Sequence, residues 1–212
     1  MSYIDEDKVT KREVIYLSLK TEKELTKKGL NTRKKLLKAA EKVFGTRGYF
    51  EASIVEITQE SNVAQGTFYK YFPSKKAIYD ELVQQMSRDM RIFIKQAIEK
   101  SPQVNVHRRG FEAFFEWVSE NRNLYSIVLQ AVIVDKDLYR WYYEKLATGY
   151  IRALKEIDNT GEFKLLNHEA LAYSLMGIGQ FLGMRWIYLE EEEIPEEVLD
   201  VAMEMVLHGI LK

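Results

Sequence analysis

A chain of 212 residues, 46% of them hydrophobic, is long enough for one large domain or two small ones and can bury a core, which excludes global disorder. Three prolines and eleven glycines favour long helices over a turn-rich β fold. The lack of cysteine excludes disulfides and thiolate metal sites and fits a reducing cytoplasm, the expected location. The net charge of −1 conceals an asymmetry: residues 1–76 hold 16 Lys/Arg against 10 Asp/Glu, and the remainder holds 15 against 22. A basic first third on an acidic body suits a nucleic-acid module joined to something else.

Residues 1–30 form a lysine-rich extension without an apolar signal core, and its hydrophobic residues are too irregular for a helix. Lys11, Arg12, Lys20, Lys23, Lys27 and Lys28 make it either an arm that touches DNA phosphates or a solvated tail. Gly29 is expected to close this segment, with Asn31 or Thr32 capping the next helix. Leu36, Leu37, Ala40, Val43 and Phe44 then recur with helical period, up to a stop at Gly45-Thr46-Arg47-Gly48.

Ser53-Ile54-Val55-Glu56 is a capping box, predicting a short helix to about Glu60 that buries Ile57 and either Ile54 or Val55. Ser61-Asn62 is the turn, since Asn tolerates positive φ. A third helix is predicted from Gln65 to Tyr71, stopped by Pro73, with Phe68 and Phe72 facing inward. Its outer face offers Gln65, Thr67, Tyr69, Lys70 and Tyr71, side chains suited to base edges and phosphates, with Gly66 allowing close approach.

Further helices are predicted over Lys75–Lys100, Val106–Glu120, Leu124–Val134, Asp137–Ile157, Asn167–Leu189 and Pro195–Leu211, with a turn at Asp158-Asn159-Thr160-Gly161. No strand alternation competes, so the fold class is all-α. Leu171–Leu189 is the most apolar stretch, but Gln180, Arg185 and its glycines mark it as a buried helix, not a membrane span. His107, His168 and His208 sit in no metal-ligand spacing and no nucleophile or phosphate-loop motif occurs, so neither catalysis nor a cofactor is expected.

The stretch Thr32–Lys76 resembles the DNA-binding domain of the tetracycline-repressor (TetR) family. The matching residues include Thr32-Arg33, Leu36-Leu37-Lys38-Ala39-Ala40, Phe44, Gly48-Tyr49, Ser53, Ile57, Val63 and the run Gly66-Thr67-Phe68-Tyr69-Lys70-Tyr71-Phe72-Pro73-Ser74-Lys75. Thr58, Ser61 and Asn62 depart from the family's usual Ala, Ala and Gly. The resemblance implies a helix-turn-helix over residues 31–76 followed by an effector-binding and dimerisation domain over 77–212. It implies DNA contacts from Ser53 and Lys75 to the backbone and from Gln65, Gly66, Thr67, Tyr69, Lys70 and Tyr71 in or beside the major groove; Thr32 completes the expected DNA-binding set.

The implied function is a dimeric regulator, expected to be a repressor, on a palindromic operator about 34 Å between half-sites. A small apolar or aromatic effector is expected to release it, held near Phe115, Tyr125, Leu129, Tyr143 and Gln180. The alternative is a constitutive DNA-binding factor whose second domain recruits a protein partner. Ala172, Met176, Gly179 and Gly183 on one helix, and Leu199, Ala202, Val206 and Ile210 on the last, suggest a four-helix homodimer interface, as that family uses.

Overall fold

The computed structural model describes residues 25–101, 106–158 and 167–210, and every regular element among them is helical. Residues Lys11, Arg12, Lys20 and Lys23 of the expected arm, and most of the turn beginning at Asp158, lie outside the described residues. The chain divides between Asp80 and Glu81 into two compact units.

In the first unit, α1 (Lys27–Glu51) begins earlier than its sequence pattern suggests. Thr26 is the cap, its hydroxyl accepting the Gly29 amide at 3.2 Å, so neither Asn31 nor Thr32 holds that position. Gly29 is not a terminator: it is buried in the first turn, against Leu25. Thr32 lies inside the helix and donates its hydroxyl to the Lys28 carbonyl at 2.9 Å. At the other end Gly45 stays helical and the break falls on Gly48, whose φ of 78° and ψ of 162° belong to a region open in practice only to glycine.

The capping box forms as expected: Ser53 Oγ accepts the Glu56 amide at 3.1 Å and the Ser53 amide donates to Glu56 Oε2 at 2.9 Å. It opens α2 (Ile54–Ser61), which buries Ile57 and turns Val55 to solvent, leaving Ile54 as the half-buried partner. Asn62 adopts the left-handed conformation at φ 53°, satisfying the turn. The third helix, α3 (Gln65–Phe68), is shorter than the predicted span. Residues 69–72 tighten into a turn, with the Tyr71 amide on the Phe68 carbonyl at 2.9 Å, because Phe72 must tuck into the core before Pro73. Leu36, Ala40, Phe44, Ile57, Phe68 and Phe72 close that core, and α4 (Lys75–Glu99) adds Ile78 and Tyr79 from its first turns.

The second unit contains the rest of α4, then α5 (Val106–Glu120), α6 (Arg122–Val134), α7 (Lys136–Asp158), α8 (His168–Leu182), a π-helical turn (Gly183–Leu189) and α9 (Glu196–Ile210). Asp135 caps α7 by accepting the Asp137 and Leu138 amides at 3.0 and 3.1 Å, and Asn167 caps α8 through the Glu169 and Ala170 amides. Pro195 stands just ahead of α9 and not in its first position: its carbonyl accepts the Val198 amide at 3.0 Å. The predicted continuous helix to Leu189 instead widens at Gly183, where Phe114 and Phe115 pack closely. The wider turn keeps Ile187 buried and brings the Tyr188 hydroxyl within 3.2 Å of Ser126 Oγ. Arg108 on α5 pairs with Glu112 and reaches Asp200 and Glu196 on α9.

Replacing Gly48 with Ala forces a side chain into the positive-φ break, at an expected loss of about 1–3 kcal/mol. Urea unfolding followed by circular dichroism checks this, and stability equal to the parent's would show that the break does not depend on glycine.

Candidate DNA interface and ligand cleft

The short third helix presents its polar residues as the sequence pattern suggests. Gln65, Gly66, Tyr69 and Lys70 are exposed, and Thr67 and Tyr71 are half-buried. They are held there by Phe68 and Phe72, both inaccessible to solvent, with rings 5.8 Å apart and the Arg33 guanidinium 5.2 Å over Phe72. Beyond its chain neighbours and its own helix backbone, nothing lies within 4 Å of where a Gly66 side chain would begin, so packing within the unit does not demand glycine here. The α1–α2 pair is pinned by Lys42–Glu60 at 2.7 Å and Arg47–Glu56 at 3.3 Å. These exposed pairs add little stability but orient α2.

Two expected phosphate contacts have other employment. Ser53 directs its hydroxyl at Glu56 Oε2, 2.8 Å away, and this bond, then the Ser53 amide, holds the Glu56 carboxyl below its usual range. Lys75 points inward: its ammonium donates to the carbonyls of Tyr49 at 2.7 Å, Phe50 at 3.3 Å and Ala52 at 2.7 Å, and lies 4.6 Å from the Tyr49 ring centre. An ammonium has three protons and here meets three carbonyls, so none remains for a phosphate in this arrangement. Thr32, half-buried with its hydroxyl on the Lys28 carbonyl, is likewise engaged within the chain.

In the second unit an open cleft of about 400 Å³ lies between α7 and α8, lined by Tyr139, Arg140, Tyr143, Tyr173, Met176, Gly177 and Gln180. Of the five expected effector residues it brings together Tyr143 and Gln180. Phe115 and Tyr125 are instead buried core, and Leu129 does not line the cleft. Tyr125 still acts on it at one remove, donating its hydroxyl to the Gln180 carbonyl at 3.0 Å, while Tyr143 donates to Gln180 Oε1 at 3.2 Å. Burial pushes both phenols far above their ordinary range, so they remain donors at neutral pH. The Gln180 side-chain oxygen is thereby engaged, leaving its NH₂ as the polar group that side chain can still donate.

The described residues expected at a dimer interface are buried inside this chain. Ala172, Met176, Gly179 and Gly183 are buried within the single chain, the two glycines against Phe111, Phe114 and Phe115. Leu199, Ala202 and Val206 are buried too, and the side chain of Ile210 lies outside the described residues. Small residues on α8 let α5 approach, which is packing inside one molecule. The outward faces hold what the sequence pattern concealed: Phe181 at 67% exposure, Val201 at 62% and Met205 at 67%, with Tyr173 and Leu189 nearby in sequence. A helix apolar on two sides has two faces to bury. The sequence of α9 carries such a second stripe, Val198, Val201 and Met205, beside that of Leu199, Ala202 and Val206.

Among the described residues no group of His, Asp or Glu could hold a metal ion, and no helix is long and apolar enough to cross a membrane. Residues 36–82 match the family described as bacterial regulatory proteins, tetR family. The HTH-type transcriptional regulator YdgC of Bacillus subtilis is 30% identical over 166 residues, covering 71% of this chain and 85% of YdgC. The HTH-type transcriptional repressor DhaR of a Mycobacterium species is 26% identical, covering 82% of this chain and 92% of DhaR. In three dimensions, the regulator FadR from Bacillus subtilis, solved in complex with stearoyl-CoA, superposes with a TM-score of 0.70 at 18% identity, covering 83% of this chain and 98% of FadR. With the helix-turn-helix, the helical second unit and a relative matched over most of its length, this chain belongs to the tetR family of bacterial transcriptional regulators and binds DNA.

Proposed function

We propose that this protein is a homodimeric, ligand-responsive repressor that holds a palindromic operator and releases it when an apolar small molecule binds. The observation that carries the DNA half is the exposed Gln65–Lys70 face standing on buried Phe68 and Phe72. Its small size requires a second copy for specificity, and two-fold symmetry supplies one. We assign the dimer contact to the outward faces of α8 and α9, centred on Phe181, Val201 and Met205, whose exposure is high for large apolar side chains.

The α7–α8 cleft supports the effector half. Its tyrosines and Met176 suit an apolar body, and Gln180 and Arg140 suit a polar end. FadR was crystallised with stearoyl-CoA, which makes a long-chain acyl thioester the first compound to test. DhaR, described as a repressor, favours that sign of regulation. Release requires that the ligand prefer one conformation, with coupling of about 1–3 kcal/mol. The helix α4 contributes Ile78 to the first unit and Met86 and Met90 to the second, so it is the covalent route for that coupling.

Three measurements test this reading on a duplex selected by the protein from a random pool. Lys70→Ala is expected to weaken binding by about 5- to 150-fold while leaving the dimer intact, as loss of a base or phosphate contact of about 1–3 kcal/mol would; unchanged affinity would move the recognition surface elsewhere. Met205→Glu, which sets a charge on the proposed interface, is expected to shift sedimentation from dimer to monomer; a persistent dimer would refute the assigned face. Titrating stearoyl-CoA into the complex is expected to lower DNA affinity by about 5- to 150-fold. No effect from it, or from shorter acyl thioesters and aromatic acids, would favour a factor that answers to a protein partner.

A further inference from the structure

We propose that Lys75 is an internal clasp that positions the α2–α3 reading head, and that it keeps this role when DNA is bound. The positive φ of Gly48 turns the chain so that the Tyr49, Phe50 and Ala52 carbonyls converge on one point, and the Lys75 ammonium occupies it. Ala52 immediately precedes Ser53, the cap of α2, and Lys75 is the first residue of α4. The clasp therefore ties the chain entering the reading head to the chain leaving it, and everything between those points, residues 53–74, is α2, the turn and α3. Closing such a loop carries an entropic cost that the clasp offsets once, leaving α3 a narrower range of orientations.

The surroundings fit a permanent fixture. Tyr49 lies under the ammonium and stacks edge-on with Tyr79 at 4.8 Å, and Tyr79 meets Phe44 at 5.3 Å, so the lysine sits on an aromatic wall rooted in the core. Moving it to a phosphate would leave three carbonyls facing one another without a donor, a loss that one exposed phosphate contact does not match. Arginine cannot substitute, since a planar guanidinium does not match three carbonyls converging on a point.

This inference rests on the DNA-facing role of residues 65–71, and amine labelling separates the two. The full-length protein is treated with an acetylating N-hydroxysuccinimide ester, free and with random-sequence duplex DNA, and each lysine is read by mass spectrometry. Lys75 is expected to label several-fold more slowly than exposed Lys70 in both states, while Lys70 becomes protected only on DNA. Fast labelling of Lys75 in the free protein, lost on DNA, would overturn the clasp. Unprotected Lys70 would instead refute the reading of α3, and the free-state rate of Lys75 would still judge the clasp. With Lys75→Met and Lys75→Arg, the clasp predicts an unchanged salt slope and a falling ratio of selected to random duplex affinity in both. A phosphate contact predicts a slope lower by about 0.9 in Lys75→Met and near-normal binding by Lys75→Arg, and that pair of results would also overturn it.

Discussion

Three backbone carbonyls gathered by the turn at Gly48 onto one lysine set the geometry of the DNA-binding unit. Backbone carbonyls left without donors in a partly buried loop are costly. Once Gly48 has bent the chain, some cation or donor must answer them. The chain supplies its own, from the first residue of the next long helix. The remaining order follows from that point. The Ser53–Glu56 capping box starts α2 one residue after the clasped loop, the Asn62 turn reverses direction, and the Phe68–Phe72 pair draws α3 back onto the core. A helix of only four residues has negligible stability of its own. Its position comes from what it is attached to at both ends.

The second unit solves a different problem, that of helices with more apolar surface than one core can absorb. Gly179 on α8 and Gly183 just beyond it face α5, where close approach lets aromatic rings fill the space that side chains would take. Another flank carries Tyr173 and Gly177 to the cleft, and a further one exposes Phe181. The last helix divides in the same way, Leu199, Ala202 and Val206 inward and Val201 and Met205 outward. Exposed side chains of that size, each withdrawing about 1.5–3 kcal/mol from the free-energy gain of full burial, are what a second copy would recover.

The legible parts of the molecule were those specified by short-range chemistry. Ser53 and Glu56 announce a helix start because both hydrogen bonds lie within four residues, and Asn62 announces a turn because its own backbone tolerates positive φ. The polar face of residues 65–71 followed from the same local rules. What failed depended on distant partners. The cap of α1 is the exception, for Thr26 accepts the Gly29 amide only three residues on, a bond as local as the capping box. Lys75 looked like a free cation at a helix start until the carbonyls of residues more than twenty positions away met it. The small residues four apart on α8 permit close packing against any helix, and in this chain Gly179 and Gly183 are packed by α5.

The cleft proposed to take the effector shows why the input of such a regulator is harder to read than its output. Tyr143 and Gln180 come from helices separated by the whole α7–α8 connection, and their pairing exists only once both are packed. Tyr125, from a third helix, fixes the Gln180 backbone from beneath, so removing its hydroxyl would disturb the cleft without touching a ligand. A molecule seated there would press on α8, the helix whose other flank carries Phe181 and which passes at Gly183 into the π-helical turn holding Tyr188 against Ser126. A π turn is held by longer-range hydrogen bonds than an α turn and marks a place where a helix can change its winding. One helix thus joins the cleft lining, the apolar outer face and the irregular turn, and under the proposed function displacement of α8 is the shortest physical path from an occupied cleft to an altered dimer.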